Sequence, residues 1–141
     1  MYKRQTLNGA LGGLVAITAE PLSPTPMLAV FIGSIGAILV VIAVPLLDKM
    51  KIDDVVGAVP VHLVAGIWGT FAVLFSNSDA TFSGQLLGVV SVAAFVLITS
   101  TIIWYGIKLT MGLRADADAE YDGLDLSECG LEAYPEFSHR K

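Results

Sequence analysis

Apolar positions in this chain run in long unbroken stretches, and polar positions cluster between them. Residues 27–47, 55–75 and 86–107 form three such stretches, 21, 21 and 22 residues long. As helices they would extend about 31–33 Å, enough to cross a hydrocarbon core of about 30 Å. Helix is the expected state, because an isolated strand in lipid leaves its backbone groups without partners. A fourth stretch, residues 7–19, is helix-compatible but has only 13 residues and reads as a truncated span. Residues 1–5 (MYKRQ) are polar and basic and abut it without cap or linker. They read either as a cytoplasmic stub or as sequence foreign to the protein, and are set aside from the fold. The expected fold class is all-α: a polytopic membrane helical bundle over residues 6–110, followed by a tail over 111–141.

The connections orient the spans. EPLSPTP (20–26) is proline-broken and SNSDATFSGQ (76–85) is polar, and neither holds Lys or Arg. DKMKIDD (48–54) carries Lys49 and Lys51, and Lys108 and Arg114 follow the last span. Lys and Arg in short loops mark the cytoplasmic side. The 48–54 loop and the C-terminus are therefore expected inside, in a multi-pass protein of the cell membrane.

Composition sharpens this picture. The chain is 55% hydrophobic and only 15% charged, with a mean hydropathy of +0.73. A soluble domain carries about 25% charged residues. The net charge of −5 leaves no basic face for nucleic acid. A lone Cys129 and two distant histidines, His62 and His139, supply no metal-ligand set, and no phosphate loop or nucleophile turn occurs. No cofactor, metal or enzymatic chemistry is expected.

Eight of the thirteen acids lie between Asp116 and Glu136. That run reads as a solvated end, yet Leu124, Leu126, Leu131, Tyr134 and Phe137 are interleaved with it. Docking on a protein surface is the other reading, with Asp125 or Ser127 as a helix cap.

His62 is the main chemical signal within the spans. It sits about two turns into residues 55–75, where desolvation favours a neutral imidazole that both donates and accepts. At helical spacing it shares a face with Ala58, Val59, Ala65, Gly66 and Gly69, so another helix or an open path lies against it. An ionisable residue inside a membrane bundle is a functional candidate; the bland reading is a histidine that only packs. Pro60 lacks an N–H and frees the carbonyl four residues back, either bending the span or merely starting it. Recurrent glycines, and Trp68 and Trp104, read as close packing and anchoring.

Several motifs together resemble the ammonium transporter (Amt/Mep/Rh) family. They are NGALGGLVAITA from Asn8, VPVHLVAGIWGT from Val59, Gly112-Leu113-Arg114, GLDLSE from Gly123, and Ala133-Tyr134. Their order and spacing are similar to the last third of that family, over residues 6–137. The resemblance implies an eleven-span subunit in a homotrimer, with this chain a fragment holding the last four spans. It implies that His62 is the second of two pore histidines, serving ammonium or ammonia as a hydrogen-bond station or proton relay. It also implies a cytoplasmic PII-type regulator as a partner. Cys129 and Leu63 depart from the family's usual histidine and glycine, and Ser127 matches a hydroxyl position that some plant members phosphorylate. Two other readings stay open: a scaffolding membrane module in which His62 only packs, and an Rh-like neutral-gas channel.

Overall fold

The computed structural model describes residues 2–20 and 22–133. Every regular element among them is helical. The elements are α1 (Tyr2–Ile17), α2 (Pro26–Lys49), a π-helical turn (Val59–Val64), α3 (Ala65–Ala72), a 3-10 turn (Val73–Phe75), α4 (Phe82–Thr110), α5 (Ala117–Asp122) and α6 (Leu124–Cys129). The chain divides into two units, 1–95 and 96–141, with α4 running through the division. Residues 2–5 belong to the first turns of α1. Of the three expected long spans, α2 and α4 are long and apolar enough to cross a bilayer, whereas Val59–Phe75 is a shorter apolar helix. Its helical structure begins after residues 55–57 because, as shown below, those residues form the turn that starts it.

In the first unit, α2 begins where Thr25 accepts the Leu28 N–H at 3.3 Å and Pro26 occupies the first turn. That position tolerates proline because its N–H would have no intrahelical partner. Helices α1 and α2 meet through small residues. A Cβ added to Gly36 would sit 2.5 Å from the Ala16 Cβ and 2.9 Å from the Gly12 carbonyl oxygen. Such backbone approach is how helices gain dispersion contacts where lipid supplies no hydrophobic drive. Two small cores result: Val40, Val44, Val61 and Ala65 in one, and Ala16, Ile32 and Ala72 in the other. Trp68 flanks the second, donating its indole N–H to the Ile32 carbonyl at 2.9 Å. The indole is therefore a packing anchor, as its sequence context suggested.

A polar knot ties the two connections that lack basic residues. The Glu20 carboxylate accepts hydrogen bonds from the Ser23 hydroxyl (2.9 Å), the Ser76 hydroxyl (2.9 Å) and the Asn77 amide (2.8 Å). Partial desolvation, the largest single influence, pushes this carboxyl up, but the three donors together hold it below its ordinary value. A depressed folded-state pKa means the knot's full contribution is present above the ordinary carboxyl pKa of 4.5 and is lost as pH falls through the lowered one. Amide exchange at Ser76 and Asn77 should therefore be slower at pH 6 than in acid, relative to the intrinsic rate at each pH. Glu20→Gln should remove most of that difference. Equal pH dependence in both proteins would show that the knot does not titrate.

No residue of α4 is buried within this chain, and its apolar side chains, among them Leu87, Phe95 and Ile102, are exposed. In the second unit, Arg114 forks onto Glu120 at 2.8 and 2.9 Å. Gly123, at φ +104°, separates α5 from α6, and a left-handed Gly130 ends α6. Asp125 lies inside the first turn of α6 and is not its cap, which is Gly123. Its carboxylate accepts the Ala133 N–H at 2.7 Å and the Leu126 N–H at 2.9 Å, and these bonds hold it low. Ser127 donates to the Leu124 carbonyl and caps nothing. Tyr134, Glu136, Phe137 and His139 lie outside the described residues.

Candidate functional site

The segment around His62 is started by side chains. The Asp54 carboxylate accepts the N–H groups of Gly57 (3.0 Å), Ala58 (2.8 Å) and Val59 (2.8 Å), satisfying donors at the start of the segment as a capping side chain does. Pro60 lies in the first turn, where its missing N–H would have no intrahelical partner, and it offers no donor to the Val56 carbonyl just ahead of the helix. That carbonyl is satisfied from another helix, by the Asn8 side-chain amide at 3.0 Å. Asn8 is only 6% exposed. Gly57 makes the approach possible, since its φ is +81° and a Cβ there would collide with the Asn8 amide. Both the positive φ and the missing side chain are needed at this position.

Beyond Pro60 the backbone widens. Residues 59–64 form a π turn, in which the Ala65 N–H reaches the Pro60 carbonyl five residues back. A π turn accommodates one residue more than an α turn and often accompanies functional positions. The extra residue divides the small-residue face expected around His62. Val61, Ala65, Gly69 and Ala72 turn inward and are buried. Gly69 meets the Ala16 carbonyl oxygen so closely that a Cβ would overlap it. His62 and Ala58 are exposed, and a Cβ added to Gly66 would meet nothing within 4 Å. The face is therefore two faces: a packed one against α1 and α2, and an open one bearing His62 beside a glycine. Among the described residues His62 makes no hydrogen bond.

Asn8, Asp54 and Gly57 escape a reading of the hydropathy pattern, although each left a trace. The orphaned carbonyl is legible from Pro60 alone, but its donor, 48 positions away, is not. Asp54 lies ahead of a proline-containing helix start whose N-cap is Ala58, and its charge alone marks it only as a loop residue.

Apolar helices packed through glycine, two of them long enough to cross a bilayer, define an all-α chain of the membrane-helix class, with an ionisable side chain displayed on a widened turn. The comparisons identify the kind. The chain matches the Ammonium Transporter Family over residues 3–134, and it belongs to that family. It is 42% identical over 127 residues to a putative ammonium transporter, sll1017, of Synechocystis, covering 89% of this chain and 29% of that protein. It is 36% identical to ammonium transporter Amt1 of Haloferax mediterranei, covering 92% of this chain and 26% of that one. To ammonium transporter Amt2 of Archaeoglobus fulgidus it is 32% identical, covering 94% and 32%. The chain thus spans about a third of the length of the curated relatives it matches.

Proposed function

We propose that this chain supplies the His62-bearing wall of a membrane path for ammonium or ammonia, and that the imidazole acts there as a hydrogen-bond station or proton relay. The observation that carries the reading is His62 itself, presented on an open, glycine-flanked face of a broken apolar helix. Moving a bare cation through an apolar passage is costly. A group that accepts a proton or hydrogen-bonds the neutral amine lowers that cost, and imidazole does both. The relatives' names, which are of transporters, support a role in transport over one in catalysis.

In this reading the other walls come from polypeptide beyond these helices. Those surfaces also cover part of the exposed apolar face of α4, while lipid covers the rest. A homotrimer in the cell membrane, with the 48–54 loop and the tail in the cytoplasm and a PII-type regulator approaching from that side, completes the proposal. The charge pattern of the loops and the family membership support this part.

Reconstitution tests the proposal. The purified chain alone in liposomes should take up methylammonium no faster than empty vesicles, because four helices do not enclose a path. The assembled protein containing this chain should show saturable uptake that ammonium competes away. Absence of uptake by the assembled protein overturns the transport reading, and full uptake by the isolated chain overturns the incomplete wall.

A further inference from the structure

The hydrogen bond between Asn8 and Val56 lies away from the open face, yet it bears on where the imidazole points. A carbonyl left without a local donor beside a proline has two remedies: the local backbone relaxes, or a side chain from elsewhere donates to it. Here the second has happened. The Asn8 amide occupies the place of the N–H that Pro60 lacks, and Gly57 leaves room for it. On the same turn, the Asp54 carboxylate fixes three consecutive N–H groups. The start of the segment is thus held from outside its own hydrogen-bond ladder, and the π turn lies between that held start and α3, which packs on α1 and α2.

We infer that Asn8 is a positioning residue for His62: its bond to the Val56 carbonyl holds the π turn, and the π turn sets the direction of the imidazole. Converting π to α in this segment would rotate residues before the turn by about 100° relative to α3. His62 lies within the turn and would swing by part of that angle, from its place beside Gly66 toward the buried Ala65. The functional meaning of this geometry rests on the proposed transport role of His62, whereas the geometry itself does not.

Two measurements on the assembled protein keep these apart. Asn8→Leu retains the side chain's shape and removes its donor. The first readout is the ¹⁵N signal of the His62 ring in histidine-labelled protein, assigned by its loss in His62→Gln. Asn8→Leu should move that signal although it does not touch the ring; an unmoved signal overturns the inference. The second readout is methylammonium flux per folded molecule, which should fall about tenfold or more, as small misplacements of a reacting group do. Unchanged flux in Asn8→Leu, alongside impaired flux in His62→Ala, also overturns the positioning role. Unchanged flux in both variants counts instead against transport through His62, and the ring signal still decides the geometry.

Pro60→Ala separates positioning from simple satisfaction of the carbonyl. In the Asn8→Leu/Pro60→Ala double variant the returned N–H can bond Val56, so thermal stability should recover while flux does not. Recovery of both would overturn the inference. Should Asn8→Leu fail to fold, Pro60→Ala alone serves, because it allows an ordinary α turn with Asn8 intact. Its His62 signal should shift and its flux fall, and wild-type values for both would be decisive against the proposal.

Discussion

Replacing His62 with alanine in the assembled protein is expected to lower methylammonium flux about tenfold or more, with folded yield close to that of the wild type. The size follows from what is removed. A positioned group that exchanges protons with its substrate is typically worth about 10²-fold or more, and part of that survives if water enters the vacated space. The near-normal yield follows from the structure: the ring is exposed and makes no hydrogen bond among the described residues, so its loss leaves no buried partner orphaned within these helices. His62→Glu keeps a titratable group and should retain more flux, with altered discrimination between ammonium and potassium. A histidine that only packs gives the opposite pattern, with reduced yield and thermal stability but normal flux per folded molecule. Measuring flux, potassium competition and yield on the same preparations distinguishes the two. Full flux with unchanged selectivity in well-folded His62→Ala would end the relay assignment.

Gly69→Leu is expected to be the most damaging single change to the packing of these helices. A Cβ at Gly69 meets the carbonyl oxygen, carbonyl carbon and Cα of Ala16, all main-chain atoms of α1. No flexible side-chain end is available to move aside, so α3 and α1 must separate. Overpacking of this kind costs about 3 kcal/mol, and here it also removes contacts in the core of Ala16, Ile32 and Ala72. The change should lower the thermal unfolding midpoint in detergent and expose α1 to proteolysis. Gly66→Ala, three residues away, is the control: its Cβ enters open space, and the midpoint should hardly move. Equal tolerance of both substitutions would mean that α3 does not pack on α1 through Gly69.

Much of this architecture is legible in the sequence because membrane helices are specified by composition over many residues. The long apolar runs mark α2 and α4, and the recurrent glycines mark the α1–α2 contact. His62 stands out because an ionisable side chain is rare in such a setting. What is not legible depends on partners far away in sequence. The start of the 55–75 run shifts to Val59 because Asp54 and Gly57 build a turn there, a local event that hydropathy averages away. The small-residue face predicted around His62 assumed 3.6 residues per turn, and the π turn breaks that period between His62 and Ala65. In the tail, Asp125 was visible as an acid near a helix start. Its bond to Ala133, eight residues on, depends on how the chain returns after Gly130.

The Asn8–Val56 bond has a consequence for how the protein is made. A carbonyl whose donor sits on another helix is satisfied only once the two helices have met. Its partner lies on α1, and α1 precedes the segment in the chain, so during synthesis the amide emerges first and awaits the carbonyl. The reverse order would leave the carbonyl exposed until a later helix arrived. Insertion of this broken span is therefore best viewed as a docking event onto a helix already in place, with the order of translation supplying the order of assembly.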